Sequence, residues 1–542
     1  MAGHELDVLV VGGGITGVGA ALDATTRGLR VGLIEARDYA AGTSSKSSKL
    51  IHGGLRYLEM LDFGLVREAL RERELLLTRL APHLVKPVPF IWPLTHRGWE
   101  RVYLGAGLAL YDRLGGARSV PSTKHLSHDG VLKIAPGLRP DAFVGGVRFY
   151  DAQEDDARLV AYVARTAAQH GASLATRVAA TGFLRDGERV VGVRAHDDEA
   201  GVDLEIRARR VLSAAGVWTD ELRELAGARS GTRIRPSKGI HVVVPRGCIA
   251  METGLLMRTE KSVLFIIPWG PHWIIGDTDT AWELDPANPA ATGADIDYVL
   301  EKANGMLREP LVRADVEGVF VGLRPLVGSS EHADTTRLSR AHTVETPIPG
   351  LTTIAGGKYT TYRVMAEHLV DAGMRGLPHV SASVTRQTPI VGASGYHARW
   401  NQRARLVATM GLAVSRIERL LDRYGDRIDD LAELIRTRPE LADPLEHAPE
   451  YLGAEVVYAC THEGALRLED VLARRTRISF ETRDRGVACA PVVAGLMAGA
   501  LGWDAARSSS ELAAWRRLIA AELEAEQLSD DASASAVVRA AT

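Results

Sequence analysis

The sequence predicts an α/β protein: a doubly wound parallel sheet, interleaved along the chain with an antiparallel sheet and followed by a helical domain. Three observations carry this. The apolar run Leu6 to Val11 enters Gly12-Gly13-Gly14-Ile15-Thr16-Gly17, and a helix-like stretch from Val18 to Arg27 leads to a second apolar run at Val31 to Glu35. Strand, tight turn, helix, strand is how a doubly wound domain opens. Short β-like runs dominate Ile234 to Val327, among them His241 to Val244, Leu264 to Pro268 and Trp273 to Gly276, which read as antiparallel strands. Beyond Arg386 amphipathic helical patterns take over, as in Ser415 to Tyr424, Ile428 to Arg436 and Ser510 to Ala525.

At 542 residues the chain exceeds what one core supports, so at least two domains are expected. Residues 1–385 form the interleaved region, with nucleotide binding mainly in 1–95, 150–230 and 345–385 and the substrate side mainly in 96–149 and 231–344. Residues 386–528 form the helical domain. The tail 529–542, rich in Ser, Ala and Asp without a packing stripe, is expected to be disordered. Thr43 to Lys49 reads as a hydroxyl-rich loop, Phe63 to Leu80 as an amphipathic helix, and Phe149 to Gly171 as a helix. Strands run into glycine turns again at Ser213 to Gly216 and at Leu351 to Lys358, the latter followed by a helix pattern from Tyr359 to Ala372.

Charge is balanced, 65 basic against 68 acidic residues for a net −3, so no global field calls for nucleic acid. The three cysteines Cys248, Cys460 and Cys489 lie far apart in no CxxC spacing, which argues against a disulfide scaffold or a metal site and fits a reducing cytoplasmic compartment. The first residues do not read as a secretory signal. No window reaches the roughly 20 apolar residues of a spanning helix. The best candidate, Val102 to Leu110, reads as a buried helix in preference to a membrane-dipping one.

Gly12, Gly14 and Gly17 let the backbone turn tightly and approach a pyrophosphate, with the following helix N-terminus supplying N–H groups. Glu35 stands at about the spacing of an acid that accepts from ribose hydroxyls. A dinucleotide is expected. The motif alone does not separate NAD from FAD; the later glycine turns at Gly216 and Gly357 favour an extended flavin.

The stretch Ser47-Ser48-Lys49-Leu50-Ile51-His52-Gly53-Gly54-Leu55-Arg56-Tyr57-Leu58-Glu59 resembles the signature of the FAD-dependent glycerol-3-phosphate dehydrogenases. Further matches follow in order: Arg235 to His241, Ile275 to Asp279, Gly322 to Leu326, and Gly356 to Arg363. The resemblance covers nearly the whole chain. It implies a glutathione-reductase-like FAD-binding fold, noncovalent FAD, oxidation of sn-glycerol 3-phosphate to dihydroxyacetone phosphate, quinone as acceptor and peripheral attachment to the cytoplasmic face of the membrane. A homodimer is a further expectation. Cofactor contacts are expected from Gly12, Gly14, Gly17, Glu35, Thr43, Ser44, Ser47, Lys49, Leu50, His52, Val178, Ala215, Gly216, Gly357, Lys358 and Thr360.

Oxidising a secondary alcohol through a flavin requires hydride loss from carbon and proton removal from oxygen, while the protein supplies orientation and charge. Arg56 and Lys358, with Tyr57, are the expected phosphate anchors, since guanidinium and ammonium groups suit phosphate oxygens. Tyr359 and Thr360 are the remaining expected substrate contacts. Arg324 is expected at the C2 oxygen, His241 as the leading base and His52 as the second. Two rivals stay open: an oxidase that reduces oxygen at the same substrate site, and a non-catalytic carrier on a flavin-type fold.

Overall fold

Leu6–Val11 lies at the centre of the first sheet, and every residue but Asp7 is buried. A strand covered on both faces reads as a continuous apolar run. It pairs in parallel with Val202–Ser213 on one side and Val31–Glu35 on the other. From one edge the strands run His342–Ile348, Leu351–Gly356, Val202–Ser213, Leu6–Val11, Val31–Glu35 and Ser173–Thr176. The edge strand His342–Ile348 is antiparallel, as are Val178–Asp186 and Arg189–Asp197, which extend Val202–Ser213. The computed structural model describes all residues except 2–4, 55–61, 97, 116–119, 229–231, 260–262 and 329–340.

Helix Ile15–Thr26 packs against Asp156–Gln169 and Tyr362–Gly373. Val8, Val10, Val18, Leu159 and Leu369 meet there in one fully buried core. Because the third helix lies some 350 residues from the first strand, the nucleotide domain is completed late in the chain.

The second sheet is larger than the pattern over Ile234 to Val327 suggests. Its spine is the long pair Arg233–Pro245 and Gly318–Gly328, followed by His272–Gly276, Val263–Trp269 and Gly254–Arg258. Lys86–Leu94 and Gly145–Gln153 continue it, and Leu50–Ile51 joins its far edge. Residues Phe149 to Gln153 are therefore strand, and the helix expected over Phe149 to Gly171 starts at Asp156. Asp155, whose side chain accepts from the Arg158 N–H, caps that start.

Two further expectations are corrected. Helix Trp99–Gly115 forms; among its described side chains Leu104, Leu108 and Tyr111 are buried, but Val102 and Tyr103 are 72% and 52% exposed. The tail is ordered: Asp531–Ala541 is a helix capped by Asp530. Its Ala534 and Val538 pack on Ala290 and Ala525, and Asp531 pairs with the buried Lys238. The stripe of small residues escaped notice because alanines fill a tight interface without raising apolar periodicity. Among the described residues no helix is long and apolar enough to cross a membrane.

The helical domain docks through buried charges. Arg158 pairs with Glu463 at 2.8 Å, Arg474 and Arg475 with Asp38 at 2.6 and 2.7 Å, and Arg477 with Asp156 at 2.6 Å. Such groups are tolerated in the interior only when paired.

Candidate active site

Two adjoining cavities lie where the sheets meet. The larger, about 640 Å³, opens at the C-terminal ends of the parallel strands, and the smaller, about 410 Å³, lies against the antiparallel sheet. They share Thr43, Ser47, Pro325, Gly357, Lys358 and Tyr359. An open α/β sheet offers its ligand crevice at that strand end, and the two connected spaces suit a long cofactor whose far end reaches the second.

The larger cavity is built by the first turn. Gly12 adopts φ +111°, and a Cβ there would lie 2.6 Å from the Ala214 oxygen; a Cβ at Gly17 would lie 1.9 Å from the Gly12 oxygen. No side chain fits either position. Gly17 consequently lines neither cavity but lets the helix start close to the strand. Glu35 faces the turn, its Oε2 accepting from Gly13 N–H at 2.6 Å and its Oε1 from Arg37 N–H at 2.8 Å. Burial pushes its carboxyl above the usual range while these two N–H groups oppose that. Ser44 Oγ accepts from Ile15 N–H at 3.0 Å. Gly12, Gly14, Glu35, Thr43, Ser44, Ser47, Val178, Ala215, Gly216, Gly357 and Lys358 all line this space. A glycine-walled helix N-terminus beside a carboxylate fits a dinucleotide pyrophosphate and ribose.

Leu50, His52, His241, Arg324, Tyr359 and Thr360 line the smaller cavity, with Lys358 at its junction with the larger. Arg56 and Tyr57 lie outside the described residues. Thr360 Oγ1 bonds both the N–H and the oxygen of His52, at 3.2 and 3.3 Å, tying the far edge of one sheet to the turn after the other. The Tyr359 hydroxyl donates to the Asp156 oxygen at 2.5 Å. Arg324 is held by the Asp277 carboxylate, by the Thr278 oxygen at 3.0 Å and by Ser237 Oγ at 3.4 Å.

Lys49 departs from the expected cofactor contact. Its ammonium is wholly buried, donating to Asp156 and to the Ser45 oxygen at 2.7 Å each, and lines neither cavity. Burial lowers its pKa to about 8, opposed by Asp156. The pair anchors the loop, since Ser47 N–H and Oγ also bond Asp156, at 3.0 and 2.7 Å.

His241 is 2% exposed and stacks on Phe320 with ring centroids 4.7 Å apart. Burial lowers its pKa to about 4, with Asp277 and Asp156 opposing and Lys49 and Arg324 reinforcing. It is a neutral imidazole at physiological pH. Its Nε2 lies 2.9 Å from Ser48 Oγ.

Among the cavity residues that escaped sequence reasoning are Ser48, Trp218, Arg258 and Asp277. Ser48 and Asp277 stand inside motifs already singled out, so their hydroxyl and carboxylate were legible candidates. Arg258 ends a strand, 5.5 Å from the Trp92 ring, and Trp218 follows a glycine turn under Arg37, 5.3 Å from its ring. Neither carries a spacing signal.

Comparison with known proteins agrees with this geometry. Residues 7–363 match the family of FAD dependent oxidoreductases, and residues 383–508 match the C-terminal domain of alpha-glycerophosphate oxidase. The chain is 54% identical to a glycerol-3-phosphate dehydrogenase of Mycobacterium leprae (strain TN), over 98% of this chain and 91% of that one. It is 35% identical to the mitochondrial glycerol-3-phosphate dehydrogenase of Mus musculus, over 98% of this chain and 76% of that one. Among solved structures, the glycerol-3-phosphate dehydrogenase from Bacillus halodurans complexed with FAD superposes with a TM-score of 0.79 at 29% identity, covering 97% of this chain and 96% of that one. The chain belongs to the FAD-dependent glycerol-3-phosphate dehydrogenase family.

Proposed function

We propose that the protein oxidises sn-glycerol 3-phosphate to dihydroxyacetone phosphate and passes the electrons to membrane quinone. The observation that carries this reading is the smaller cavity, where Arg324, Lys358 and two histidines meet beside the junction with the nucleotide space. A small anionic polyol needs such cations for its phosphate and a neutral base for its hydroxyl.

When bound in the larger cavity, FAD supplies the acceptor for the C2 hydride. Lys358, with Arg56 and Tyr57 from the matching motif, holds the phosphate. Arg324, steadied by Asp277, stabilises negative charge developing on the C2 oxygen, as fixed donors do where charge grows. His241 takes the hydroxyl proton, and His52 orients the substrate from the opposite edge of the sheet.

Residues 1–385 and 386–528 serve as the catalytic and helical units. Attachment to the membrane is peripheral: helix Trp99–Gly115 exposes Val102 and Tyr103 beside the exposed Arg101, apolar and basic groups that suit a lipid interface. Homodimerisation is the remaining expectation for its assembly.

The test is anaerobic addition of sn-glycerol 3-phosphate to purified protein, followed at the oxidised-flavin band near roughly 450 nm. Bleaching reversed by a quinone analogue supports the dehydrogenase. Because residues 383–508 match an oxidase domain, oxygen is the alternative acceptor, and fast reversal by oxygen alone would establish it. A yellow protein that never bleaches would refute the substrate.

A further inference from the structure

Ser48 meets His241 at the wall of the smaller cavity. Its Oγ is 2.9 Å from Nε2, and both residues line the cavity. The imidazole is held on two sides. Phe320 stacks on one face with an interplanar angle of 12°. On the neighbouring strand a Cβ at Gly276 would lie only 2.4 Å from His241 Cδ2. The other nitrogen, Nδ1, is buried and has no hydrogen-bond partner among the described residues, whereas Nε2 meets the Ser48 hydroxyl.

Ser48 is itself held by its neighbours. Ser47 before it and Lys49 after it are both bonded to Asp156. Lys49 adopts φ +58°, a left-handed conformation that is costly for a non-glycine residue and persists only when its surroundings enforce it. The buried Lys49–Asp156 pair does so here, and the resulting turn sets Ser48 against the imidazole. A hydroxyl can accept one hydrogen bond while donating another, which is what a proton relay requires.

We propose that Ser48 is the relay through which His241 acts as base. As the C2 hydroxyl passes its proton to Ser48 Oγ, the Ser48 proton moves to His241 Nε2. The C2–H bond breaks with its electron pair going to the oxidised flavin, and the C2–O bond becomes a carbonyl. Substrate loses one hydride and one proton, the flavin is reduced, and His241 ends as imidazolium. This rests on the alcohol oxidation proposed above. Burial disfavours the protonated imidazole first of all, and of the charged groups that face it Asp277 and Asp156 favour that form while Lys49 and Arg324 disfavour it.

The experiment compares wild type with Ser48→Ala, Ser48→Thr and His241→Asn, all flavin-loaded, by anaerobic stopped-flow bleaching with sn-glycerol 3-phosphate across pH. Histidine nitrogen resonances are read in parallel by NMR. Ser48→Ala is expected to slow bleaching by about 10²-fold or more, the usual worth of positioned proton transfer, with flavin spectrum and substrate affinity retained. The His241 Nε2 resonance should move in Ser48→Ala and return in Ser48→Thr, together with the rate. The double variant Ser48→Ala/His241→Asn should be no slower than the worse single one, as for residues acting as a unit. Wild-type bleaching by Ser48→Ala, with His241→Asn still impaired, would overturn the relay while leaving the alcohol oxidation intact. Wild-type enzyme that never bleaches would remove both.

Discussion

Asp38 and Arg475 form a two-pronged buried ion pair, with both carboxylate oxygens 2.7 Å from guanidinium nitrogens. Arg474 reaches the same carboxylate at 2.6 Å. Asp38 lies just beyond the second strand of the nucleotide domain and the arginines in the helical domain, so this contact fastens one to the other. Asp38→Ala leaves two buried guanidinium groups short of a counter-charge and is expected to cost about 3–5 kcal/mol. Urea denaturation of the flavin-loaded protein measures this; an unchanged midpoint would mean the domains are held by other contacts.

The same pair makes acid destabilising. The arginines hold the Asp38 carboxyl down at about 2, against 3.8 for the unperturbed group, and overcome the opposing effect of burial. A carboxyl whose folded pKa is depressed adds stability that is fully present above the unfolded value and drains away as pH falls through the folded one. Denaturation midpoints should therefore fall between about pH 4 and pH 2 more steeply in wild type than in Asp38→Asn.

Arg324→Ala should retain flavin, since the guanidinium lies in the smaller cavity, but lose turnover by about 10²–10³-fold, as when a charge-stabilising donor is removed. Steady-state kinetics alongside the flavin spectrum decide, and normal turnover would remove Arg324 from the reaction.

Gly276→Ala puts a methyl where the His241 ring sits. The ring must shift from its place beside Ser48, so kcat should fall while flavin content stays near wild type. If instead kcat is unchanged, the His241 position is not what limits proton removal.

As a base, His241 must be neutral. With its pKa near 4, the bleaching rate should be flat through neutral pH and decline only as pH drops toward that value. His241→Asn should abolish this acid limb along with most of the rate. An identical acid limb in the variant would assign the titration to another group.

Removing residues 529–542 takes Asp531 from Lys238, which is 1% exposed and keeps Asp295, 2.6 Å away. It also uncovers Ala290 and Ala525. A loss of about 1–3 kcal/mol is expected from one weakened buried pair and the exposed apolar area. Thermal melting of the truncated protein measures it, and no change would mean that the tail helix is undone at little cost.

The residues alone were enough for the α/β class, the nucleotide turn, the acid at Glu35 and the helical region beyond Arg386, because these follow from local pattern: apolar periodicity, glycine where no Cβ fits, and a strand leading into a turn. They also marked His52, His241, Arg324, Lys358 and Thr360, which the fold gathers around one cavity. What local pattern does not carry is direction. Whether Lys49 faces cofactor or Asp156 depends on a partner 107 positions away, and the Ser48–His241 contact spans 193. Gly145–Gln153 is strand because Lys86–Leu94 lies beside it, and the tail is helix because Ala290, Ala525 and Lys238 give it something to pack on. Short-range preferences set which structures are locally cheap, whereas burial, charge pairing and cross-strand contact choose among them, and those are properties of the assembled chain.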